Sequence, residues 1–209
     1  MEKIKIFFKV PWAHKFFKIL KWVFFILIIL YILAVIARGF YRAQESKIAE
    51  QVEKIHNTKL TMDDVMGVNL PPPPGELADA TVEGIDANNN GIRDDVELAV
   101  FEEYPNSAKT RAVLLQYELI LQVETNKLNI NKDTAIALAE KESQSYDCIG
   151  NIVPKSNDDI QKIEEYRNFV ENKQLNTIER KKLKTNFDNN VGSFELQSGC
   201  DVNLDLLLD

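Results

Sequence analysis

Histidine is almost missing from this sequence. Of 209 residues only His14 and His56 are histidine, and none follows position 56. The later part therefore lacks the general base of Ser-His-Asp and Cys-His systems and the ligands of an HExxH zinc site. GxSxG, P-loop and GxGxxG patterns are absent too, which leaves no nucleophile elbow or phosphate-cradling glycine loop. Cysteine is scarce: Cys148 and Cys200 stand alone, without CxxC or zinc-like spacing. Strand signals are few, because β-branched residues are scattered and apolar–polar alternation is missing. No internal repeat is present.

Positive charge is lacking where most of the chain lies. Residues 1–42 carry eight Lys/Arg against one acid, Glu2, whereas residues 43–209 carry 17 basic and 31 acidic residues. The net charges, +7 and −14, place the two ends in different environments. Nucleic acid is excluded as a partner, because neutralising phosphates needs a basic surface that the acidic part does not offer.

What divides the two is a run without charge, "WVFFILIILYILAVIA", Trp22 to Ala37. Neighbouring "FFKIL" and "GFYR" lengthen its apolar surface, and Lys18 and Lys21 can snorkel to headgroups. Trp22 at one end and Phe40 and Tyr41 at the other suit the two interfaces. The reading is a single membrane span over 22–41, behind a basic leader, 1–21. Lys15, Lys18 and Lys21 recur every three residues and can face anionic headgroups. Lysines crowd the N-terminal flank, so the N-terminus is expected on the cytoplasmic side of the membrane, with the rest exported. A cleaved signal peptide is the rival reading, with a Val-x-Ala exit at Ala37. In an oxidising compartment Cys148 and Cys200 are most simply a disulfide.

Past the span, Ile48, Val52 and Ile55 recur at i, i+4 and i+7, which predicts an amphipathic stalk helix over 42–60. Its apolar seam offers a route to a homo-oligomer, although two heptads do not make a coiled coil. Residues 61–85 contain Pro71 to Pro74 followed by Gly75. Fixed φ and missing N–H groups predict an extended spacer there. From residue 86 to 209 the apolar spacing is helical, with five helices. One of them, capped by Asn106 or Ser107, carries an apolar surface through Val113, Leu114, Tyr117 and Leu121 broad enough to be central. The fold class is all-α.

The most informative stretch is "GIDANNNGIRDDVE", Gly84 to Glu97. Calcium takes six to eight oxygens at once, and a tightly turning 12-residue loop supplies them at positions 1, 3, 5, 7, 9 and 12. Those positions are Asp86, Asn88, Asn90, the carbonyl of Ile92, Asp94 and Glu97. Gly91 holds position 6, where a sharp turn favours φ > 0. Over residues 86–97 the chain resembles the EF-hand calcium loop. It departs at position 8, normally aliphatic and here Arg93, and no second loop or incoming helix accompanies it. The likeness is nearer to the solitary Asp-rich calcium loops of bacterial surface proteins and thrombospondin type 3 repeats. The wider segment, with "YPNSAKTRAVLLQY" after it, resembles one in bacterial envelope proteins, a likeness that implies no activity. Three carboxylates and two neutral amides suit a dissociation constant on the order of 0.1–1 mM, as in extracellular modules.

Three functions fit these residues. One is a membrane-anchored calcium-binding envelope protein that acts as an interaction module, without catalysis. The second is an anchored periplasmic hydrolase working through paired carboxylates. Adjacent acids such as Glu102–Glu103 and Glu164–Glu165 point to different sides of a helix, so they read as solvated. The third is a small accessory subunit of a membrane complex. "ERKKLK", Glu179 to Lys184, and "KESQS", with Lys141 beside Ser143 and Ser145, read as solvated helix surface.

Overall fold

The computed structural model describes residues 11–125, 131–155 and 159–207, with side chains from residue 15 onward. The first ten residues of the basic leader, with Lys3, Lys5 and Lys9, lie outside the described residues. The regular structure is all helical, with seven α-helices and no strand among the described residues. The chain divides into two compact units, Met1–Ala49 and Glu50–Asp209.

Helix α1, Pro11–Asn57, runs unbroken through the apolar segment and the stalk. Residues 15–47 are exposed throughout, including Trp22, Phe24, Leu27, Leu30 and Tyr31. Twenty helical residues over 22–41 rise about 30 Å, the thickness of a bilayer's hydrocarbon core. It is one helix long and apolar enough to cross a membrane. An apolar surface of this length needs a non-aqueous surrounding, which fits a single-pass membrane anchor.

In the second unit the compact part begins before the stalk ends. Ile55 is buried, and Val52 joins it against Ala135, Leu138 and Phe187. Part of the seam that offered a route to a homo-oligomer is thus covered by the chain's own helices. The segment 61–85 is not a detached spacer either. Helix α2, Met62–Met66, opens on a capping box between Thr61 and Asp64 and buries Val65. A 3-10 turn covers Gly75–Asp79, Pro71 is buried, and Leu60, Ala78 and Val82 are in the core. Proline stops helix but does not stop packing, and these side chains gain more by burial than an extended linker would offer.

Five helices follow: α3, Asp94–Glu103; α4, Ala108–Thr125; α5, Lys132–Ile152; α6, Asp159–Gln174; and α7, Ile178–Asn190. Ser107 caps α4 by accepting from Thr110 N–H at 3.2 Å, and Thr177 caps α7 by accepting from Arg180 N–H. Helix α4 is the hub, packed by α2, α3, α5, α6 and α7. Sixteen of its eighteen residues are buried.

A helix enclosed on every side is usually apolar all round. This one also buries Arg111, Gln116, Glu118, Gln122 and Glu124. Buried polar groups need partners, and most of these use theirs to fasten loops. Arg111 donates to the carbonyls of Val65, Tyr104 and Pro105. Gln122 donates to Glu83 O at 2.7 Å and accepts from Gln174 at 2.6 Å. Gln116 accepts from Asp201 N–H at 2.8 Å. Cys148 on α5 is bonded to Cys200 on the C-terminal tail.

Candidate functional site: the 86–97 loop and the buried polar clusters

The loop winds around its own first carboxylate. Asp86 accepts from the N–H groups of Asn90 at 3.1 Å and Gly91 at 3.0 Å. Two residues take left-handed backbone, Asn89 at φ 59° and Gly91 at φ 86°. Asparagine tolerates that region and glycine enters it freely. Gly91 is needed for space as well: a Cβ there would lie 2.9 Å from Leu119 on α4.

Glu97, in α3, reaches back into the loop. Its two oxygens accept from Asn88 at 3.1 Å and Asn90 at 3.0 Å. Asn88 also donates to Asn69 O at 2.9 Å, tying the segment after α2 to the loop. Asp94 turns its carboxylate onto Ala87 N–H, at 3.0 and 3.2 Å. Position 9 of such loops often coordinates through water, so this inward turn suits an indirect ligand. Among the described residues no three His, Cys, Asp or Glu side chains are gathered as a metal cluster. The converging groups are instead one carboxylate, Glu97, and two amides, with Asp86 behind them.

Electrostatics at the loop are unfavourable as they stand. Glu97 is 1% exposed, and burial is the main force that pushes its pKa up to about 7. The Asn88 and Asn90 amides offset part of that, while Asp64 and Asp94 add to it. Asp94 is raised as well, first by burial and then by Asp86 and Asp95. The nearby cation does not help, because Arg93 is committed elsewhere. It is fully buried, grips Asp95 at 2.6 and 2.8 Å, and donates to the carbonyls of Lys173 and Gln174 that end α6. Position 8 thus anchors the loop to α6 instead of pairing it with a second loop. Gly84 makes room for this, since a Cβ there would overlap Arg93 Cδ.

An under-compensated buried carboxylate flanked by two side-chain amides would suit a hard divalent cation once the amide oxygens faced it. Asp86, Asn88, Asn90, the carbonyl of Ile92, Asp94 and Glu97 would hold it. The amides would have to rotate, since both now turn N–H groups toward Glu97.

Sequence reasoning missed a second polar group across α4, α5 and α6. Tyr117 donates to Glu171 at 2.5 Å, Tyr146 to Glu142 at 2.6 Å, and the two hydroxyls are 3.4 Å apart. Arg167 donates to Tyr146, Glu171 and Glu164 and lies over the Tyr146 ring. Lys184 joins Glu142, Glu124 and Asp188 at 3.0, 3.1 and 2.9 Å. Two carboxylates linked by two tyrosines would interest a hydrolase, yet Glu142 and Glu171 are each held by a hydroxyl and a cation. The adjacent pairs Glu102–Glu103 and Glu164–Glu165 are exposed, as expected.

Two expectations of solvated surface are corrected. In "ERKKLK", Arg180 is fully buried and Lys184 is partly buried, with its side chain 15% exposed. In "KESQS", Ser145 is buried and donates to the carbonyls of Lys141 and Gln116, and Lys141 is 8% exposed. These hydroxyls bond backbone carbonyls, so Ser145 is not poised against the Lys141 amine.

Glu118 is a fully buried carboxylate without a hydrogen-bond partner among the described residues. Neither of its oxygens accepts a hydrogen bond among the described residues, and burial raises its pKa well above the ordinary 4.5 against the pull of Arg93 and Arg180, with Asp95 adding to the rise. The folded chain therefore holds a proton that the unfolded chain releases above pH 4.5. The stability this group contributes is full below that pH and is lost as pH rises toward the folded value. Denaturant titrations of Glu118→Gln from pH 5 to 8 should show a flatter decline, by up to one proton, or about 1.4 kcal/mol per pH unit. Equal slopes in the two proteins would contradict the assignment.

No protein-family model matches the chain, and neither a curated protein nor a solved structure is significantly similar to it.

Proposed function

We propose that this chain is a membrane-anchored envelope protein whose exported helical domain, braced by one structural calcium ion, serves as an interaction module. The N-terminus lies on the cytoplasmic side and residues beyond about 42 face an oxidising compartment, the periplasm of a bacterial inner membrane. Lysines flanking the span favour that orientation, and the Cys148–Cys200 bond suits that compartment. Calcium binds at Asp86, Asn88, Asn90, Ile92, Asp94 and Glu97, as in the loops that this stretch resembles.

One observation carries the calcium reading: the Glu97 carboxylate is buried against two neutral amides, with acids as its charged neighbours. A divalent cation there offsets that charge and lets Glu97 ionise at neutral pH. It also ties the start of α3 to the segment after α2, which fixes how the N-terminal part of the domain enters its core. The paired-carboxylate hydrolase is disfavoured by the engagement of Glu142 and Glu171.

Thermal unfolding of the full chain in neutral detergent tests this. At 10 mM calcium, a dissociation constant on the order of 0.1–1 mM gives about 1.4–2.7 kcal/mol of added stability. Asp86→Ala and Glu97→Gln should each abolish the calcium-dependent shift. A shift of unchanged size in both variants would rule the loop out as the site.

A further inference from the structure

Away from the loop, the helical domain has a polar cleft of about 360 Å3, lined by His56, Lys59, Glu140, Lys141, Gln144 and Gln197. That volume lies at the small end of sites for small molecules, roughly 300–1,000 Å3. The end of α1 and the residues after it provide His56 and Lys59, and α5 provides the next three residues. The C-terminal tail closes the side that carries Gln197, and it is firmly placed. Gln197 N–H donates to Ser143 at 3.0 Å, Gly199 N–H to Asp147 at 2.7 Å, and Cys200 is bonded to Cys148.

Lys141 decides what the cleft can hold. Its side chain is 10% exposed, yet its ammonium makes no hydrogen bond among the described residues. Among the described residues its one counter-charge is Asp201 Oδ1, at 3.8 Å. Asp201 cannot swing closer, because its other oxygen takes Leu60 N–H at 3.0 Å and its own N–H is held by Gln116. Oδ1 itself has no hydrogen-bond partner among the described residues. Three ammonium protons thus remain for a ligand. Burial lowers the Lys141 pKa, Asp201 opposes the fall, and Lys59 adds to it. The amine is short of negative charge. Glu140 does not supply it, being paired with His56 at 3.4 Å.

We propose that this cleft binds a small oxyanion, a carboxylate or phosphate group seated on Lys141 with Lys59 at the mouth. Gln144 and Gln197 line the walls as neutral donors. The tail that closes the cleft is held by the disulfide, so the site exists in the oxidised protein.

Inorganic phosphate and acetate are the probes. The full chain in neutral detergent with EDTA, which removes any calcium, is melted as each salt replaces chloride at constant ionic strength. A saturable rise in Tm is expected for at least one salt, and comparing the two tells phosphate from carboxylate preference. Lys141→Met should abolish the saturable part. Lys59→Glu, an exposed change that removes no core contact, should raise the apparent Kd at least tenfold. It decides the matter even where Lys141→Met fails to fold. A rise that does not saturate and is equal in all three proteins is excluded-salt stabilisation alone, and it overturns the proposal. So does a saturable shift that Lys59→Glu leaves unchanged.

Discussion

Replacing Arg180 by alanine should destabilise the helical domain by about 3–5 kcal/mol. Its side chain is fully buried, and all its donors are engaged. Nε donates to Val82 O at 2.8 Å, one terminal nitrogen to Asp79 and to Asn176 at 2.6 Å, and the other to Ala78 O and Thr81 O at 3.0 and 3.1 Å. Truncation removes one cation and leaves three carbonyls turned toward a cavity that offers them no proton. Lysine should rescue little, since an ammonium cannot reproduce the planar fork that serves carbonyls on a turning backbone. Asp79 reports the same pairing: the hydrogen bond from Arg180 is the main cause lowering its pKa, against partial burial. A carboxylate whose folded pKa is depressed stabilises above its unfolded value of about 3.8 and stops doing so as pH falls through the folded value. Denaturant unfolding gives the loss, and hydrogen exchange should show early opening of residues 78–82. A loss below about 1 kcal/mol would mean that this segment is held by Ala78 and Val82 alone.

Arg180 also shows where sequence reading reached its limit. The helices were legible, because apolar spacing and capping residues are local signals acting over a few residues. The breadth of the α4 apolar surface likewise marked it as central. In "ERKKLK", however, each charge reads as solvated unless its partners are known, and those of Arg180 lie about a hundred residues earlier, in a segment that four prolines made look extended. The same tertiary pairing explains the 61–85 segment: proline dictates its backbone, but Val65, Ala78 and Val82 decide where it lies. For the loop, Gly91 and the Asp and Asn positions were readable from spacing. That Arg93 would fasten the loop to the end of α6 was not, because a single loop carries no trace of the helix it meets. The Tyr117–Tyr146 pair with its carboxylates was invisible for a similar reason: each aromatic residue fits an ordinary apolar stripe until its hydroxyl finds a partner on another helix.

Cys200→Ser should cost about 4 kcal/mol, the loop-closure entropy released when residues 52 apart are no longer joined. The loss should be cooperative with the tail. Cys200 sits between Gly199, bonded to Asp147, and Asp201, bonded to Leu60 and Gln116, while Val202 and Leu207 complete the core around α4. Without the covalent tie those contacts must hold a tail that has little regular structure of its own, so proteolysis should cut first between residues 191 and 203. Cys148→Ser should match Cys200→Ser within a few tenths of a kcal/mol, because either change opens the same ring and leaves one free thiol. The double variant should be no worse than either single one. Additive losses would mean that the two sulfurs act separately, and free thiols in protein taken from intact membranes would show that the domain matures where disulfides do not persist. Equal and non-additive losses would show that the two sulfurs act as one covalent bridge between α5 and the tail.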